Sequence, residues 1–143
     1  MRFLLYVAAD DEYRVMDARE KAPQRAARDM FLGQSGEPVE GASTDGALAA
    51  AIPGEPAGLA YLADNFGRLS LETSLTPAIR LAVEGFKIKE RALLGLNFRK
   101  QTLLYSPEFA RIFYPDGDVP TVGTLIRQPD LAATLKRFAA GGF

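Results

Sequence analysis

The residues from Arg2 to Ala9 are nearly all apolar, and a second apolar run follows from Tyr13 to Ala18 after the acidic turn Asp10-Asp11-Glu12. Two short runs rich in strand formers, joined by a tight polar turn, read as a β-hairpin over 2–19 with its first strand largely buried. A two-stranded hairpin alone is marginal in water, so this one requires cover from helices or further strands. Whatever follows in the chain must supply that cover, or structure outside it must. A basic residue before an apolar run also begins a signal peptide, but this run stops at the acidic turn and is assigned to the sheet.

The next stretch, 20–56, reads as loop. Gly33, Gly36, Pro38, Gly41, Gly46, Pro53 and Gly54 punctuate it, with one apolar knot at Met30-Phe31-Leu32. A loop of this length in a compact domain is functional or packs against something else.

Helices are expected over 57–141. Leu59, Leu62, Ala63 and Phe66 fall at i, i+3, i+4 and i+7, with Gly67 placed to cap the C-terminus. Leu71, Leu75, Ala78, Ile79, Ala82 and Val83 form a second stripe stopped by Gly85, and Thr76-Pro77 within it suggests a break or kink, with Thr76 as N-cap and Pro77 in the first turn. Lys89 to Tyr105 reads as helical with a less clean apolar spacing, and a short helix after Ser106-Pro107 buries Phe109, Ile112 and Phe113. A turn at Tyr114-Pro115-Asp116-Gly117-Asp118 follows. The last helix opens near Gln128-Pro129, buries Leu131, Leu135 and Phe138, and meets Gly141-Gly142. The fold class is therefore α+β, a hairpin plus helices, read as a single piece over 1–143.

Composition narrows the chemistry. A net charge of −1 supplies no basic field to attract nucleic acid, and no segment has the roughly 20 apolar residues that cross a bilayer. The sequence has no histidine, so a Ser-His-Asp or Cys-His triad cannot be assembled within it. It has no cysteine either, which removes disulfides, thiolate catalysis and Cys-based zinc sites.

Three groups of residues invite a chemical reading. Asp17-Ala18-Arg19-Glu20 lies where the second strand ends, and a guanidinium there can offer a planar two-pronged donor to a carboxylate, with Asp17 and Glu20 holding it. On residue types alone a solvated charge cluster at a strand end is the favoured reading. Pro53-Gly54-Glu55-Pro56-Ala57-Gly58 precedes a helix, where free backbone N–H groups cradle anions, but two prolines remove donors and no lysine follows. A tight turn that lets the helix pack closely is the simpler reading. The carboxylates Asp10, Asp11, Glu12, Asp64, Glu72, Glu84, Asp116 and Asp118 have no metal-site or paired-acid spacing and read as solvated faces and turns.

Six stretches, in order, resemble the gamma-glutamyltranspeptidase family of N-terminal-nucleophile hydrolases. Val15-Met16-Asp17-Ala18-Arg19-Glu20-Lys21-Ala22-Pro23 is similar to the end of a family strand and its D-x-R-E-x-A-P motif. Ala27 to Leu32 resembles A-T-R-D-M-F-L, Ile52 to Leu59 resembles V-P-G-T-V-A-G-L, and Phe66-Gly67-Arg68-Leu69 resembles Y-G-x-L. Thr76 to Phe86 resembles P-A-I-x-L-A-x-x-G-F, and Gln128 to Leu135 resembles Q-P-D-L-A-x-T-L.

The resemblance implies a piece of the αββα N-terminal-nucleophile fold, from the large subunit. In that family a threonine freed at the start of the small subunit attacks a gamma-glutamyl amide, and the acyl group passes to water or an amine. It further implies that Arg19 holds the substrate's α-carboxylate with Glu20 in support, that the small catalytic subunit is the partner, and that the location is periplasmic or secreted. No catalytic residue, metal or cofactor is assigned to this chain. The threonine and the glycine-rich segment before the first strand are absent, Glu55-Pro56 replaces T-V, and Leu93 to Tyr105 matches poorly, so the chain is not expected to be catalytic alone. Two other readings remain: a cephalosporin-acylase-like amide hydrolase fragment, and a non-catalytic binding or scaffold domain. The fragment readings predict an open strand edge near Phe3 to Val7 and self-association; the scaffold reading predicts a closed sheet.

Overall fold

A computed structural model describes residues 1–141. The chain divides into two compact units, Met1–Arg68 and a second beginning at Leu69.

In the first unit, β1 (Arg2–Val7) pairs antiparallel with β2 (Glu12–Asp17), in a register that sets Arg2 opposite Asp17, Phe3 opposite Met16 and Tyr6 opposite Tyr13. Asp11 takes a left-handed conformation at φ 52° in the connecting turn, a shape that a short polar side chain tolerates. The expectation that β1 is largely buried is corrected: its residues alternate between exposed and half-buried. The reason is that α1 (Glu55–Phe66) packs on one face only, where its Gly58 meets Phe3, Met16 and Ala18. On the other face Leu4, Tyr6, Tyr13 and Val15 remain 69, 53, 73 and 72% exposed. Among the described residues β1 pairs with β2 alone, so its other edge is open.

Residues 20–52 are irregular, as expected, but tied down. Lys21 and Ile52 exchange both backbone hydrogen bonds, at 3.0 and 2.9 Å, so the loop leaves and returns at one place. Leu32 and Pro38 form a second bridge, and a single 3₁₀ turn spans Ala47–Ala49.

The second unit opens with α2 (Leu71–Glu84), capped by Ser70, whose Oγ accepts the Thr73 N–H at 3.1 Å. Thr76 is not an N-cap and Pro77 does not end a helix; α2 runs through both. Cover from α6 (Pro129–Gly141), along which α2 packs, offsets the hydrogen bond that Pro77 cannot make. The helix stops at Gly85, φ 94°, as expected. The expected helix from Lys89 to Tyr105 is two, α3 (Glu90–Phe98) and α4 (Lys100–Leu104), separated at Arg99 with φ −108° and ψ 13°. A short α5 (Pro107–Phe113) follows. The all-helical expectation for 57–141 also misses a small sheet, in which β3 (Phe86–Lys87) pairs with β4 (Leu125–Ile126). Two-residue strands are too short to show an alternation. Helix α6 is described through Gly141, and the Gly142 of that expected stop lies outside the described residues.

Ile88, Leu96, Tyr114 and Ile126 form the buried centre of this unit, with Phe109 and Phe113 against them. Tyr114, expected in a turn, is core. Its hydroxyl donates to the Leu96 carbonyl at 2.8 Å, one of the last four of α3, which have no partner within the helix. Tyr114→Phe should therefore leave that buried acceptor unsatisfied and cost about 1–3 kcal/mol of stability, read by denaturant unfolding. A change below about 0.5 kcal/mol would show that the bond contributes nothing net.

Candidate substrate-anchoring site

Arg19 stands two residues past the end of β2, where the chain leaves the sheet. Its backbone N–H donates to Asp17 Oδ1 at 3.0 Å, and Asp17 Oδ2 lies 3.4 Å from Arg2 Nε on the facing strand. Between them Ala18 is buried, and its N–H donates to the Met1 carbonyl at 3.0 Å. The segment is thus fastened to the sheet on one side and, through Lys21 and Ile52, to the returning loop on the other.

The guanidinium points outward, with 57% of the Arg19 side chain exposed, and Nη2 donates to Glu20 Oε1 at 2.5 Å. That hydrogen bond, reinforced by the charge attraction, raises the Arg19 pKa and holds the Glu20 carboxyl below its ordinary range. Asp17 is lowered first by the Arg19 backbone N–H, with burial opposing and Arg2 adding to it. All three groups are charged near neutral pH. One of the five guanidinium donors is used on Glu20, and the others can meet a carboxylate in the forked geometry that arginine prefers.

The other candidate groups are placed differently. Arg14 Nη2 donates to Asp10 at 2.9 Å and to Glu12 at 3.2 Å, and the Tyr6 hydroxyl donates to Asp11 at 2.9 Å. Asp118 is paired with Lys100 at 2.7 Å. The glycines of Pro53 to Gly58 face protein, with Gly54 against the Ala18 and Arg19 backbone and Gly58 against Ala18 and Phe3. Close packing accounts for them, and the role of Gly54 beside Arg19 was not legible in the sequence.

The gamma-glutamyltranspeptidase family model matches residues 1–143. The chain belongs to the gamma-glutamyltranspeptidase family. A glutathione hydrolase proenzyme of Arthroderma benhamiae is 36% identical over 143 residues, covering 98% of this chain and 24% of the relative. The gamma-glutamyltranspeptidase of Helicobacter pylori superposes with a TM-score of 0.93 at 32% identity, covering 99% of this chain and 41% of that one. The transpeptidase CapD of Bacillus anthracis superposes with a TM-score of 0.77 at 29% identity. The chain spans about a quarter of the length of the curated relatives it matches. The α+β expectation, a part of the N-terminal-nucleophile hydrolase fold, holds.

Proposed function

We propose that this chain is the substrate-anchoring part of the large subunit of an enzyme that hydrolyses or transfers gamma-glutamyl groups, with Arg19 binding the substrate α-carboxylate. The observation that carries the reading is the Arg19 guanidinium, outward-facing on a backbone fastened from both sides, in a chain of this family. Glu20 restrains the guanidinium against rotation, so less freedom is lost when substrate binds.

In the complete enzyme, a threonine hydroxyl of the small subunit attacks the gamma-amide carbonyl. The amide C–N bond breaks, the amine leaves with a proton, and a gamma-glutamyl ester remains on the threonine. Water or an acceptor amine then takes the acyl group and restores the hydroxyl. Arg19 contributes binding and alignment. The uncovered apolar face of the hairpin, formed by Leu4, Tyr6, Tyr13 and Val15, supports a partner that packs there, and the small subunit is that partner in this reading.

Arg19→Lys in the complete enzyme keeps the charge and removes the fork. A contact of this class contributes about 1.5–3 kcal/mol, so kcat/KM for gamma-glutamyl donors should fall about 10-fold or more, chiefly through KM. Unchanged kinetics would remove Arg19 from the site.

A further inference from the structure

Where the Arg19 side chain can meet a ligand depends on where its backbone is set, and Gly54 and Asp17 both bear on that. A Cβ atom added at Gly54 would lie 2.3 Å from the Arg19 carbonyl oxygen and 2.9 Å from that of Ala18. Both are backbone atoms, and ordinary contacts begin near 3.4 Å, so the Arg19 carbonyl would have to retreat by about an ångström. It has nowhere to go without breaking something. Lys21 and Ile52 hold the two chain segments together on one side, and on the other the Asp17 carboxylate holds the Arg19 N–H at 3.0 Å. Gly54 has φ −94°, a value any residue adopts, so the space it vacates, not its conformational freedom, is what the site uses.

We propose that Gly54 and Asp17 are positioning residues for Arg19, Gly54 by leaving room for its carbonyl and Asp17 by holding its N–H. Together they fix where the guanidinium root emerges from the sheet. The inference rests on Arg19 as the carboxylate anchor. Neither residue touches substrate; each acts through the Arg19 backbone. A misplacement of about 1 Å in a binding group is enough to cost on the order of 100-fold in rate.

The test uses the complete enzyme, with Gly54→Ala, Asp17→Ala, Asp17→Asn and Arg19→Ala. Each is assayed on a gamma-glutamyl anilide and on the same anilide with its α-carboxylate converted to the amide. Gly54→Ala and Asp17→Ala are expected to lower kcat/KM for the free carboxylate donor by about 10- to 100-fold, mainly in KM, and to change the amide much less. The ratio between the two donors therefore falls. A purely structural loss would lower both donors alike. Asp17→Asn retains an oxygen to accept the Arg19 N–H and is expected to restore most of the ratio. If Gly54→Ala does not fold, the Asp17 pair decides alone. A ratio that collapses in Arg19→Ala but is unmoved in Gly54→Ala and Asp17→Ala overturns this inference and leaves the anchor in place. A ratio unmoved by Arg19→Ala overturns the anchor, and the positioning roles with it.

Discussion

Truncating Ile126 to alanine is expected to lower the unfolding free energy by about 2–5 kcal/mol. Ile126 is 1% exposed and sits in the buried cluster with Ile88, Leu96 and Tyr114. Its backbone is fixed by pairing with Phe86 across the small sheet, so the strand cannot slide to fill the hole. The cost therefore includes a cavity as well as the lost transfer of the side chain out of water. Urea unfolding of the chain should show a lower midpoint with an unchanged slope, and Ile126→Val should cost only about 0.5–1.5 kcal/mol. An alanine variant within about 0.5 kcal/mol of the parent would mean the site collapses freely or is not the core.

Gly58→Val tests the opposite fault, too much matter in too little space. A Cβ at Gly58 would lie 2.5 Å from Ala18 Cβ, 3.0 Å from Phe3 Cε2 and 3.4 Å from Met16 Cε. The hairpin and α1 would have to separate, at a cost of about 1–3 kcal/mol, from which a few tenths are recovered because valine is a better helix residue than glycine. Ala18→Gly in the same chain removes the nearest obstacle. The double variant should then recover stability, with a coupling of about 0.5–3 kcal/mol by a double-mutant cycle. Additive costs would show that Gly58 and Ala18 are not in contact. Because Ala18 adjoins Arg19, the proposed anchoring role predicts that the single variant also weakens gamma-glutamyl donors in the complete enzyme, and that the double variant restores them in part.

The elements themselves were largely legible in the residues. The apolar runs around Asp10-Asp11-Glu12 become β1 and β2, and the stripe from Leu59 to Phe66 becomes α1. Errors cluster where a local rule met tertiary support. Pro77 argues for a break, yet α2 continues because the helix is capped at Ser70 and packed along α6. Tyr114 reads as the first residue of a turn, yet its side chain closes over the end of α3. The two strands around Phe86 and Leu125 are paired across almost forty residues, a distance no local pattern spans.

By itself the sequence determined the chain's family, its hairpin and helices, and the place of Arg19 at a strand end, because periodicity, turn chemistry and motif order are local properties written along the chain. Only the tertiary structure decided which face of the hairpin α1 covers. Only there does Gly54 meet the Arg19 carbonyl, because that contact joins residues separated by an entire irregular loop. Excluded volume acts between atoms that meet in space, and Arg19 and Gly54 lie beside the Lys21–Ile52 bridge that joins the two ends of the loop.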